Sequence, residues 1–200
     1  MGTSQDVSAL IPILNRFHPV RESFVKFFKE HAYSVSFNKG ELLLSEGQVC
    51  EHIYFIKKGV VRGFIKDGKR DVTTWITAEG EVVSSILLFE GSPIENMQAV
   101  EDCEMLALTL ADLQNLYEEI PEFNVVGRKM LQQYYSDAEM RAFIARLTNA
   151  ETKYKQFLDR YSHLANRVPL TYIASFLGIT LETLSRVRRK LSTKKNLNLP

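Results

Sequence analysis

Apolar residues recur at helical spacing over residues 9–30, so an amphipathic helix is expected to open the chain. The pattern then changes to short β-rich runs at 33–37, 41–44, 52–57, 60–65, 71–77, 94–100 and 104–110. Glycine punctuates nearly every gap. Asn38-Lys39-Gly40, Glu46-Gly47, Lys58-Gly59 and Asp67-Gly68 carry turn chemistry, and Asp67-Gly68 predicts a two-residue hairpin loop. Short strands separated by turns at about every 8–12 residues predict a sandwich, jelly roll or β-roll. The sequence shows neither a solenoid repeat nor a low-complexity segment.

A helical regime follows, first at 111–119 and then at 121–147. Pro121 suits a first helical position, where its missing N–H has no helical partner to lose. The long helix is expected to stop near Leu147, because Thr148-Asn149-Ala150-Glu151 has capping-box spacing, with Thr148 and Glu151 satisfying each other's free backbone donors. At 1.5 Å per residue such a helix is about 40 Å long and outruns a small roll. Its stripe Leu131, Tyr135, Ala138, Ala142 and Ala145 steps by four and three, a coiled-coil spacing with small residues that let another helix approach. Two readings are open: the stripe packs on the chain's own roll, or it forms the seam of a symmetric dimer.

The run 170–191, LTYIASFLGITLETLSRVRRKL, carries the most information. Ala174, Gly178 and Leu184 stand where a small residue, a turn glycine and an apolar residue let two helices cross tightly. Ile173, Leu177, Ile179, Val187 and Leu191 supply the rest of that core. Thr180 is a natural N-cap for a second helix at 181–191, worth on the order of 1 kcal/mol. At about 100° per residue, Leu184, Val187 and Leu191 fall on one side of it, and Glu182, Ser185, Arg186 and Arg189 on the other. Those exposed groups are what a major groove takes: guanidinium for guanine, carboxylate for cytosine, hydroxyl for either base or phosphate. Arg188 falls near the buried edge and is assigned to packing or phosphate. The plainer alternative is a solvated helix with cations well placed near its C-terminus.

Charge supports the same division. The net charge is only +1, but residues 151–200 hold ten Lys/Arg against three acids, +7, which leaves −6 for residues 1–150. A polyanion-binding surface is therefore expected at the C-terminal end. The chain is 45% hydrophobic and 24% charged, an ordinary globular composition that fits two modest cores. No apolar run approaches the roughly 18 residues of a membrane span, and no leader pattern opens the chain, so no membrane role and a cytoplasmic location are expected. Cys50 and Cys103, the two cysteines, are read as structural; they are too few for a disulfide framework or an iron–sulfur centre.

The helix-turn-helix, the long helix before it and the glycine-punctuated roll together resemble the Crp/Fnr family of transcription regulators, from about residue 10 onward. Glu182, Ser185 and Arg186 match the E-x-x-S-R reading signature of the Fnr-like branch, which implies that these three read bases. Thr180, Thr183, Arg188, Arg189, Lys194 and Lys195 complete the expected DNA-binding set, with Lys194, Lys195 and Arg188 toward phosphate. The fold class implied is α+β: an N-terminal sensor β-roll over 1–120, a dimerisation helix over 121–147 and a DNA-binding helix-turn-helix domain over 148–200. Only nine residues follow Leu191, leaving little room for the β-hairpin wing of many family members. The partners implied are double-stranded DNA bearing an inverted repeat, a second copy of the chain and RNA polymerase.

The sensor departs from the family. Gly80-Glu81, read as following a turn at Thr77-Ala78-Glu79, resembles the Gly-Glu that opens the family's phosphate-binding cassette, where the glutamate receives the ribose 2′-hydroxyl; an exposed turn acid is the alternative. Aligned on Gln98-Ala99-Val100, the family's phosphate arginine and the Ser/Thr after it fall at Pro93 and Ile94, which offer neither charge nor hydroxyl. Ser84, Ser85 and Ser92 supply hydroxyls only. Loss of one charge-assisted partner in a buried site costs about 2–5 kcal/mol, roughly 30- to several-thousand-fold in affinity. Tight cyclic AMP binding is not expected, and no cofactor is required; another small effector, control by a protein, or no effector at all are open. A cupin-like metalloenzyme is the remote alternative, but His18, His31, His52 and His163 form no His-x-His pair, and no catalytic triad or phosphate loop is present, so an enzyme is not expected.

Overall fold

The computed structural model describes residues 6–85 and 93–197, with side chains to residue 193. The single opening helix expected over 9–30 is two helices, α1 (Leu10–Asn15) and α2 (Glu22–His31). Pro19 separates them: it has no N–H to give, and it disfavours helical geometry at the residue before it. The freed N–H of Val20 goes instead to the Asn15 side chain at 2.9 Å.

Eight strands follow: β1 (Tyr33–Phe37), β2 (Leu42–Leu44), β3 (His52–Lys58), β4 (Val60–Asp67), β5 (Arg70–Ala78), β6 (Val82–Val83), β7 (Asn96–Ala99) and β8 (Cys103–Thr109). They form two four-stranded antiparallel sheets, ordered β1-β8-β3-β6 and β2-β7-β4-β5. Three local expectations are corrected. The hairpin loop is Gly68-Lys69, since Asp67 pairs with Arg70, and Gly68 takes the positive φ of +59° at the first loop position. Thr77 and Ala78 belong to β5, so the turn comes later, with Gly80 at φ +82°. The short strand β6 lies just beyond it, where no strand was expected; two valines are too few for a period to show.

Alternation along the strands sends side chains to three cores. Tyr54, Ile56, Val61, Met97 and Met105 meet between the sheets. Phe55 and Leu106, on the outer face of the first sheet, pack under Phe24 and Phe28 of α2, Leu116 of α3 (Leu110–Glu119), and Phe123 and Val126 of α4 (Phe123–Arg146). The outer face of the second sheet supplies Val60, Ile76 and Ala78, joined by Val100, to a third core shared with the C-terminal helices α5 (Ala150–Tyr161), α6 (Leu170–Phe176) and α7 (Leu181–Leu197).

Helix α4 has 24 residues, about 36 Å at 1.5 Å each. Pro121 stands before it rather than as its first residue, in a tighter turn where Asn124 N–H reaches Pro121 O at 3.1 Å. Of the stripe on α4, Leu131 and Tyr135 are each 69% exposed, Ala138 and Ala145 are exposed and Ala142 is half-buried. The stripe therefore does not pack on the chain's own roll. The capping box at Thr148 is also corrected: Asn149 is the cap of α5, accepting the Thr152 N–H at 3.0 Å, and Glu151 pairs instead with Lys155 at 3.0 Å and Lys190 at 2.7 Å. Asn one residue later makes the same bond from a position that leaves Glu151 facing α7.

Candidate nucleic-acid interface

The helix-turn-helix unit is built from local rules. Helix α6 ends at Gly178, whose φ of +60° lets the N–H of Ile179 return to Ala174 O and that of Gly178 to Ser175 O, both at 3.0 Å. This paired closure satisfies the last carbonyls of α6 and turns the chain. Thr180 then opens α7, its hydroxyl accepting the Thr183 N–H at 3.2 Å. Ile173, Leu177 and Leu184 are fully buried where the helices cross, and Val187 is 8% exposed.

The opposite face of α7 is open: Thr180, Glu182, Ser185, Arg186 and Arg189 are exposed and Thr183 is half-buried. The Glu182 carboxyl is held below its ordinary range by its own backbone N–H and by the Thr180 hydroxyl, so it is an acceptor at neutral pH. Arg188 is turned inward, donating to Ala165 O at 3.3 Å with its guanidinium 5.9 Å from the Tyr154 ring centre, which places it in packing. Helix α7 runs through Leu197, past the expected end at Leu191, so these residues continue the helix rather than open a wing. Lys194 and Lys195 lie on this last stretch, with their side chains outside the described residues.

Three polar groups that the sequence pattern hid support this unit. Lys153, only 5% exposed, donates to Ala145 O at 3.0 Å and Leu177 O at 2.7 Å, placing a cation at the C-terminal ends of α4 and α6. Arg167 pairs with Glu79 and Glu101 of the roll. The Arg167 hydrogen bonds hold the Glu79 carboxyl at about 2, well below its ordinary 4.5. Arg62, 2% exposed in the middle of the valine-rich strand β4, stacks on Tyr172 of α6 with 3.7 Å between guanidinium and ring centre. A basic residue inside a buried strand run was the signal available for Arg62; Lys153 looks like any surface lysine until its helix is oriented.

The proposed sensor residues are dispersed. Gly80 and Glu81 form the turn before β6, and Arg16 holds both, donating to Glu81 Oε1 at 2.9 Å and Gly80 O at 2.8 Å. Ser84 donates to His52 O at 3.1 Å, and Ser85 is 6% exposed. Ser92 lies outside the described residues. Ile94 is 58% exposed, and Pro93 O accepts the Gly47 N–H at 2.9 Å. Inside the roll the Trp75 indole packs against Gly63, where any Cβ would collide with the ring, and its N–H donates to Glu95 Oε2 at 3.2 Å. A cleft of about 320 Å³ lies between residues 43–44, 48–52 and Tyr54. The Tyr54 hydroxyl is pushed up to about 12 by burial, so it is a neutral donor. Among the described residues no group of three His, Cys, Asp or Glu side chains could hold a metal ion, and no helix is long and apolar enough to cross a membrane.

Comparison with known proteins bears on the whole arrangement. Residues 34–119 match the family model for the cyclic nucleotide-binding domain. FixK2 from Bradyrhizobium japonicum superposes with a TM-score of 0.71 at 22% identity, covering 82% of this chain and 86% of its own. A Crp/Fnr-family transcriptional regulator from Eubacterium rectale superposes with a TM-score of 0.68 at 13% identity, covering 92% and 87%. The chain has the Crp/Fnr regulator fold. Regulatory protein HlyX of Actinobacillus pleuropneumoniae is 24% identical over 162 residues, 74% of this chain and 67% of that protein. Within the Crp/Fnr fold the matched domain spans β1 to α3, and α4 to α7 carry the chain on to the helix-turn-helix.

Proposed function

We propose that this chain is a sequence-specific DNA-binding transcription regulator that works as a homodimer on an inverted repeat. The observation that carries the reading is the face of α7: Glu182, Ser185, Arg186 and Arg189 stand exposed together on a capped helix whose other side is locked into the core. Glu182, Ser185 and Arg186 read base edges, Thr180, Thr183 and Arg189 flank them, and Lys194 and Lys195 meet phosphate. Support for the dimer comes from the exposed stripe on α4, beside which a groove of about 570 Å³ runs past Tyr117, Gly127, Leu131 and Tyr135. Two reading helices so joined would sit about 34 Å apart, one turn of DNA. RNA polymerase is a partner of this reading and the cytoplasm its setting.

The roll, on this reading, does not bind cyclic AMP tightly. Pro93 and Ile94 bring no charge to the phosphate, Glu81 is engaged by Arg16, and Trp75 with the buried Glu95 fills part of the space between the sheets. An effector of other chemistry suits the roll better.

Binding of duplexes by the Arg186→Ala and Lys194→Ala variants tests the base-reading role. Arg186→Ala is expected to cost roughly 1–3 kcal/mol on the specific site and little on random DNA. Lys194→Ala should weaken both alike and make the salt dependence shallower, since each phosphate contact releases counterions. Equal loss on specific and random DNA for Arg186→Ala would reduce α7 to an electrostatic anchor.

A further inference from the structure

Among the described residues strand β5 is the outermost strand of its sheet, and no strand neighbours one edge of its backbone. Helix α6 takes that place. The Ser175 hydroxyl accepts the Thr73 N–H at 2.9 Å and donates to Asp71 O at 3.1 Å, two edge groups that a further strand would otherwise satisfy. Three residues earlier on the same face of α6, Tyr172 covers the Arg62 guanidinium. Arg62 is itself fixed by Asp71 Oδ2 at 2.9 Å, by Gln98 Oε1 at 2.9 Å and by the Phe64 ring, whose centre is 4.2 Å away. Arg167, just before α6, adds the attachment to Glu79 beyond the far end of β5 and to Glu101.

Such a mount determines direction as well as proximity. A stacked guanidinium fixed by a carboxylate and an amide tolerates little sliding, and a hydroxyl bonded to both N–H and C=O of an edge strand fixes register. Behind α6, the crossing of Ala174 with Leu184 makes α7 move with it. In front, the roll is joined to α4 through Phe123 and Val126.

We propose that Arg62, Tyr172 and Ser175 are positioning residues through which the roll sets the separation and tilt of the two reading helices, and so the half-site spacing that the dimer accepts. The inference rests on the dimeric DNA-binding reading above. It places a determinant of operator choice in the roll, remote from any base-reading side chain.

The test measures the affinity of full-length protein for inverted repeats whose half-sites are moved apart or together by one base pair at a time, and for a duplex with a single half-site. The wild type should show one preferred spacing. In Tyr172→Leu, and independently in Arg62→Met, affinity at that spacing should fall by about tenfold while off-optimum spacings change little, so the profile flattens. Single half-site binding should hold within about twofold, since each helix-turn-helix is intact. Tyr172→Phe, which keeps the ring, should retain the wild-type profile.

An unchanged spacing profile in the folded variants would overturn the proposal. So would an equal loss on the single half-site, which would show damage to the reading unit itself. If Arg62→Met does not fold, Tyr172→Leu and Ser175→Ala decide. A wild type with no preference for inverted repeats would overturn instead the dimeric reading on which the proposal rests.

Discussion

The helix-turn-helix and the turn at Gly80–Glu81 are both polar, glycine-marked bends between regular elements, yet they are held in opposite ways. In the helix-turn-helix the fixing groups are neighbours: Thr180 binds the N–H three residues on, and Gly178 closes a helix that began at Leu170. The Gly80–Glu81 turn is held by Arg16, 65 residues before Glu81, and Ser84 beyond it by His52, 32 residues before. Local capping defines a shape before the chain has folded, whereas a bend anchored from afar acquires its surroundings only with the tertiary structure. The first kind of site can be read in one dimension and the second cannot.

The sharpest way to break this contrast is to remove the core beneath the helix-turn-helix. Leu184 is fully buried between α6 and α7. Leu184→Ala should destabilise the C-terminal domain by about 2–5 kcal/mol, the usual cost of a large truncation that leaves a cavity. Thermal unfolding followed by circular dichroism checks the value. A loss under about 1 kcal/mol would mean that local closure alone maintains the unit.

A smaller effect is expected at the turn. An alanine Cβ at Gly178 would meet only Lys153 Nζ at 3.6 Å, so space is not the obstacle; the φ of +60° is. Gly178→Ala should cost roughly 1–2 kcal/mol, the penalty for a left-handed L-residue, and should show in the same unfolding measurement. A neutral result would show that the turn relaxes to another closure.

These expectations rest on residues whose roles were legible. The Thr180 cap, the Gly178 turn and the Leu184/Val187 face all follow from spacing within one helix pair, and the strands of the roll other than β6 follow from turn chemistry and alternation. Two departures from the expected pattern are local, and the others depend on tertiary contact. The break at Pro19 was hidden by apolar residues at helical spacing on both sides of it, and the Asn149 cap by a capping box at Thr148 that fits the spacing equally well. Arg62, Lys153 and Arg167 were missed because burial of a charge depends on partners such as Tyr172, Leu177 and Glu79, which no local pattern supplies.

Acid titration probes the attachment between the two regions. Glu79 has a folded value of about 2 against an ordinary 4.5, with its hydrogen bonds to Arg167 as the main cause. Its ionised form therefore stabilises the folded chain above about pH 4.5, and that contribution is lost as pH falls from there toward 2. Its side chain is 36% exposed, so water screens the pair and the gain is smaller than the shift alone implies. The melting temperature of the wild type should drop more steeply over this interval than that of Arg167→Ala. Parallel curves would show that Arg167 does not stabilise the docked arrangement through Glu79.

The smallest effect is expected at the Gly80–Glu81 turn itself. Arg16 and Glu81 are 46% and 41% exposed at the side chain, so their attraction is spent largely against water and against the entropy of ordering two long side chains. Glu81→Gln keeps the shape and removes the charge, and it should change stability by no more than about 0.5 kcal/mol. The same variant distinguishes a tether from a ligand contact. If Glu81 serves only to hold Arg16, calorimetric titration with cyclic AMP should give the same weak response before and after the change. If the substitution instead abolishes a measurable binding heat, Glu81 leaves Arg16 to meet the ribose, and the turn is a ligand site assembled from a distance after all.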